Sequence, residues 1–244
     1  MHDLGQTRSA RQRDHLLHTP DTFVRTQLPG MQRAVAIVHV SPAAGAAFTQ
    51  YTAELGPAGT LGAAAAQRFV YVLDGSVDLA AGAGFHTLAP GSYAYVPSGL
   101  QHAITAQAAA RLTVIEKIYQ PLAHVPAPQL IVGSESTVTP AALMGDPNLQ
   151  VRSLLPDQPD FDFAVNVMTY QPGASLSQVE IHVMEHGLLM LQGGGIYRLG
   201  HSWYPVTAGD FIWMAPFCPQ WFGALGKQPA RYLIYKECNR HPLQ

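Results

Sequence analysis

The stretch VEIHVMEHG, residues 179–187, holds two histidines and two carboxylates among valine, isoleucine and methionine. Imidazole nitrogens and carboxylate oxygens are donors for a divalent metal ion. On a helix, Glu180 and His182 point to different faces, because residues two apart are not neighbours there. On a strand, Glu180, His182 and His186 share a parity and line one face, with Val179, Ile181 and Val183 on the other. The strand gathers all three candidate ligands, whereas the helix gathers two. Glu185 has the opposite parity and is expected to be solvated. The plainer alternative is a half-exposed strand with polar residues outward, which explains one histidine more easily than two with a carboxylate. A buried unpaired carboxylate is costly, and a divalent cation removes that cost by pairing the charge.

The elements that must position these groups read as strands. Twenty-two glycines and 19 prolines punctuate short apolar runs among the 244 residues. FVYVLDGSVDL and LLMLQGGGIYRL each read as two strands joined at a glycine-containing turn, with hairpins to follow. SYAYVP and FIWMAP read as strands closed by proline, RLTVIEKIY and RYLIYKE alternate, and PAALMG allows one short helix. Gly75 and Gly193 stand 118 residues apart, as do Gly91 and Gly209, and the same register sets His102 against Gln220. Several features in one register indicate an internal duplication. Two all-β units of the jelly-roll barrel type are predicted, at 31–120 and 150–244. Residues 1–30 are an N-terminal extension, and the proline-rich 121–149 is a linker.

Composition narrows the function. Hydrophobic residues are 48% and charged residues 12%, with a net charge of −2, which supports a sizeable core and offers no basic face for nucleic acid. The longest apolar runs are strand-length, so no membrane span is expected, and the N-terminus lacks the apolar core of a secretory signal. Cys218 and Cys238 do not make a disulfide framework and suit a reduced, cytoplasmic setting.

The spacing from Gly173 through Glu180, His182 and His186 to Gly193 resembles the first cupin motif with its end ligands exchanged. Gly209 to Gln220 resembles the second motif, with Gln in place of its His. In the first copy, Gly91 to His102 fits the second motif, but Gly62, Ala64 and Arg68 occupy the ligand positions of the first. That barrel is therefore expected to hold no metal, with His102 a leftover or a hydrogen-bonding residue. An empty first barrel and an E-x-H-x3-H…Q second barrel, with QWFGALG and YLIYK, resemble the (S)-ureidoglycine aminohydrolases, a bicupin family of purine and allantoin breakdown. The resemblance implies one Mn2+ per chain on Glu180, His182, His186 and Gln220. The absence of a thiolate suits Mn2+ or Fe2+ better than structural Zn2+, the ligand types also admit zinc or nickel, and about two of six octahedral positions stay open. It also implies substrate contacts from Glu180, Gln220, Tyr197, Tyr232 and Lys236, with Lys236 and Glu180 catalytic, a small ureide as the substrate, and a homo-oligomer. Read without the resemblance, Tyr197 and Tyr232 are barrel aromatics and Lys236 a solvated strand-end charge. A metal-dependent bicupin oxygenase and a non-enzymatic small-molecule-binding bicupin are the other functions this pattern admits.

Overall fold

The computed structural model describes residues 6–240. Strands dominate, and among the described residues the helices are three short 3-10 turns, at Pro20–Thr22, Pro42–Ala44 and Glu135–Thr137. The chain divides into two compact units. One comprises Val24–Val138 with Gln158–Asp162; the other comprises the residues up to Phe23, Thr139–Asp157 and the residues from Phe163 onward.

In the first unit the bent strand Thr49–Leu61 is central. Its first half pairs with Ala110–Lys117 and its second half with His102–Ala106, while Met31–Val40 runs along it. Alternation sends Ala53, Val70, Val72, Ala94, Ile104, Leu112 and Val114 into one apolar core. The second unit has an eight-stranded sheet and a three-stranded one. In the larger, His186–Gln192 lies between Phe211–Met214 and Ala230–Glu237, and the latter pairs with Phe163–Tyr170. The smaller is Ser202–Thr207, Gly194–Leu199 and Gln220–Leu225. Leu188, Met190, Tyr197, Leu199, Phe222 and Tyr232 meet in its core.

The duplicated glycines have a common cause. Gly75 and Gly193 adopt φ of +70° and +65°. A Cβ there would lie 2.3 Å from the Ala109 carbonyl oxygen and 2.6 Å from that of Pro229. Only glycine suits both demands. Each turn carries the chain onward without forming a hairpin. Gln67–Asp74 pairs with Ala110–Lys117 and Ser92–Val96, and Val77–Ala81 pairs with His102–Ala106 and Gly84–Leu88.

The units reach beyond 31–120 and 150–244. Within the expected extension, His15–His18 joins the second unit's larger sheet beside Phe211–Met214. Within the expected linker, Ile131–Ser134 pairs with Ser92–Val96, and Ala141–Leu143 pairs with Asp146–Ser153. PAALMG is therefore strand and turn rather than helix. Asp162 belongs with the first unit because its buried carboxylate accepts from Lys117 Nζ at 2.9 Å and Gln67 Nε2 at 2.6 Å.

Candidate metal and substrate site

Residues 179–187 do not form one strand. Glu180 makes an isolated antiparallel bridge with Gln220, its N–H donating to the Gln220 carbonyl at 2.8 Å and its own carbonyl accepting at 2.9 Å. His182 lies in the loop that follows, its carbonyl accepting from Phe217 N–H, and the strand begins only at His186. The apolar parity is consequently not buried: Val179 is 37% exposed and Ile181 60%. Glu185 is corrected in the opposite sense. It is buried and accepts from Trp213 Nε1 at 2.7 Å, because the turn into the strand reverses the alternation that predicted solvent.

Of the four expected protein ligands, Glu180 and His182 meet at this loop and His186 stands beside His182. Glu180 Oε2 and His182 Nε2 stand 3.1 Å apart, and the rings of His182 and His186 meet edge to face with centroids 5.3 Å apart. The buried Gln220 receives a long hydrogen bond at 3.5 Å from Tyr197 Oη to Oε1. His186 is buried, and burial, then Lys236 and His182, push its pKa down to about 3. Its imidazole is thus neutral near pH 7 and keeps a lone pair for a ligand.

Lys236 lies opposite His186 in the sheet register. Burial lowers its pKa, and Glu180 opposes that shift. With its amide oriented so that the oxygen faces Lys236, Asn166 accepts from Nζ at 3.2 Å and donates to the Val165 carbonyl at 3.0 Å. Lys236 is therefore a half-buried, hydrogen-bonded amine rather than a fully solvated strand-end charge. Tyr197 and Tyr232 are both buried, and burial raises both phenols well above their ordinary range, so each remains a neutral O–H donor. Tyr232 Oη meets Tyr170 Oη at 2.7 Å. Tyr170 and Asn166 escaped the sequence reading. Their signal was two polar side chains of one parity in FAVNVMTY, an otherwise apolar strand.

The donor set tests well for a divalent metal. It offers a carboxylate, two imidazoles and an amide without a thiolate, and buried His186 Nδ1 has no hydrogen-bond partner. Yet among the described residues the three-residue group whose ligand atoms all lie within 4.8 Å of one another is Asp14, His15 and Cys218. That group reads as a clamp on the N-terminal strand. His15 Nδ1 bonds Asp14 Oδ1 at 2.8 Å and Nε2 bonds Tyr204 Oη at 2.9 Å, which leaves no ring nitrogen for a metal. Burial and then Asp14 push the Cys218 thiol up to about 12, so it stays protonated. Cys218 and Cys238 are both free thiols. In the first unit, His102 Nδ1 bonds the Leu100 carbonyl at 2.8 Å and Nε2 bonds Arg68 Nη1 at 2.8 Å. His102 is therefore a hydrogen-bonding residue, with a guanidinium beside its outward nitrogen.

A jelly-roll unit repeated twice in one chain, with this loop and strand chemistry in the second copy, defines a bicupin. Residues 42–119 match the EutQ-like cupin domain and residues 166–235 the cupin domain. The chain is 43% identical to a probable (S)-ureidoglycine aminohydrolase of Oryza sativa subsp. japonica over 98% of its length and 78% of the relative's. It is 32% identical to the (S)-ureidoglycine aminohydrolase of Escherichia coli K12, covering 92% and 88%. The crystal structure of a putative glyoxylate-induced protein from Pseudomonas aeruginosa superposes with a TM-score of 0.90 at 30% identity, covering 97% and 92% of the two chains. The chain belongs to the (S)-ureidoglycine aminohydrolase family.

Proposed function

We propose that this chain hydrolyses (S)-ureidoglycine to (S)-ureidoglycolate and ammonia, with one Mn2+ held by Glu180, His182, His186 and Gln220 of the second unit. The observation that carries the reading is the half-buried Lys236, which stands opposite His186 and within the field of Glu180. A half-buried cation beside a ligand cluster suits a small substrate that bears a carboxylate, an amine and a ureido group on one carbon. When bound, the ion would act as a Lewis acid and offset the charge of Glu180.

The residues around it divide the remaining work. Lys236, charged, pairs with the substrate carboxylate; with its pKa lowered, it also gives up a proton more readily than a solvated lysine. Asn166 fixes Nζ from behind. Tyr232 and Tyr197 donate O–H bonds to the substrate's polar atoms, and their neutral phenols add no charge to the pocket. The reaction breaks the bond from carbon to amine nitrogen and forms one to the oxygen of water. The proton lost by water ends on the departing ammonia, with Lys236 and Glu180 as the groups placed to carry it. The same reading takes the protein to be a cytoplasmic homo-oligomer; among the described residues no helix is long and apolar enough to cross a membrane.

The test is ammonia release from freshly generated (S)-ureidoglycine by protein stripped of metal and then reconstituted. Activity should return with Mn2+ and persist without oxygen. Oxygen-dependent turnover, or none with any divalent ion, would overturn the proposal.

A further inference from the structure

The first unit carries a cavity of about 450 Å³, within the size range of small-molecule sites. Its apolar wall includes Pro29, Met31 and Leu61, residues 62–66 contribute only glycine and alanine, and its polar surface comes from Tyr51, Arg68 and Glu116. The sheet register shows where this cavity lies. Arg68 pairs with Glu116 and Val96 as His186 pairs with Lys236 and Met214. Tyr51 faces Val114 as Asn166 faces Ile234. The cavity thus occupies, in the first unit, the place that Lys236, His186 and Asn166 occupy in the second.

The chemistry at that place differs. Arg68 Nε and Nη2 reach Glu116 Oε1 at 2.9 and 2.7 Å, and Nη1 donates to the Gly62 carbonyl and to His102. Tyr51 Oη also donates to Glu116 Oε1, at 2.9 Å. One oxygen therefore takes three contacts, while Oε2 makes no hydrogen bond among the described residues, and Arg68 Nη2 keeps a second N–H. The ion pair is neutral as a whole. It presents to the cavity an acceptor next to a donor, which is the complement of an amide or urea edge. A lone carboxylate would meet Glu116, and a lone ammonium would meet Arg68; each faces repulsion from one half of the pair.

We propose that this cavity is a second small-molecule site, one that takes a neutral ligand with an amide or urea edge and a short apolar portion. The ligand's N–H donates to Glu116 Oε2, its carbonyl accepts from Arg68, and its apolar part lies against Met31 and Leu61. The site needs no metal, because the fixed guanidinium supplies the positive charge.

The test is calorimetric titration of the full chain with n-butylurea, beside n-butylamine and butyrate, in the wild type, His182→Ala, Glu116→Gln and Ala64→Phe. Saturable binding of n-butylurea at one per chain is expected, unchanged in His182→Ala and at least about tenfold weaker in Glu116→Gln. Glu116→Gln should instead favour butyrate, since Arg68 is then unpaired. Ala64→Phe, which adds bulk to the lining and removes no side-chain hydrogen bond, should abolish binding; it decides the matter alone if Glu116→Gln does not fold. Absence of saturable binding, tighter binding of amine or carboxylate by the wild type, or binding undiminished in Ala64→Phe would overturn the proposal.

Discussion

Lys236 concentrates the chemistry of the second unit at a single nitrogen. Burial lowers its pKa, Asn166 accepts its hydrogen bond, and Glu180 holds its charge in place. Lys236→Met should keep its full metal content and lose about 10²- to 10⁴-fold in the rate of ammonia release. Lys236→Arg should restore substrate affinity better than rate, because guanidinium stays protonated. Metal analysis beside steady-state kinetics separates the two effects; near-wild-type turnover of the methionine variant would leave the lysine a structural role. His102 gives a residue-scale test in the other unit. Burial lowers its pKa, so the unfolded chain takes up the proton first. Its contribution to stability is present above the ordinary imidazole value of about 6.5 and declines as pH falls below it. Urea unfolding at neutral and mildly acidic pH should show a shallower loss for His102→Gln than for the wild type. Equal slopes would mean that His102 takes up no extra proton on unfolding.

At the scale of elements, two connections bear the strain of the plan. The turn at Gly193 needs a left-handed backbone and lies against the Pro229 carbonyl. Gly193→Ala should destabilise the second unit by about 1 kcal/mol or more, read as a lower urea midpoint. The N-terminal segment is the other. His15–His18 extends the sheet beside Phe211–Met214, and Arg8 Nη2 donates to the buried Asp210 Oδ1 at 2.9 Å. Arg8→Ala leaves that carboxylate with its Thr207 N–H bond but without its cation, at a cost of about 1–3 kcal/mol. Unfolding monitored at Trp213 would register the change; an unshifted midpoint would make the segment a loose appendage.

At the scale of the whole molecule, the two units repeat one topology with different site chemistry. The second places Glu180, His182, His186 and Gln220 around one loop, and the first places a guanidinium against His102. Elemental analysis should find one Mn2+ per chain, lost in His182→Ala. Manganese should slow amide exchange in Phe163–Tyr170 and Ala230–Glu237 and leave Thr49–Leu61 unchanged, since a ligand stabilises the unit that binds it. Two ions per chain, or protection confined to the first unit, would contradict this assignment.

Much of this was legible in the chain itself. Short apolar runs between glycines and prolines specified a β-rich fold, because alternation and turn residues are local properties. The equal spacing of Gly75–Gly193 and Gly91–Gly209 carried the duplication, since each such glycine answers a backbone demand that no other residue meets. The candidate ligands and Lys236 were legible as residue types at a spacing. Their surroundings were not. Whether Val179 and Ile181 are covered, whether Glu185 meets Trp213, and whether residues 6–18 stay apart all depend on strands distant in sequence. Tyr170, Asn166 and Glu116 acquire meaning only across the sheet, where pairing sets one side chain against another. Periodicity carries the face of a strand only while the strand continues; at 181–185 the chain turns, and tertiary contacts alone decide which side chains point inward.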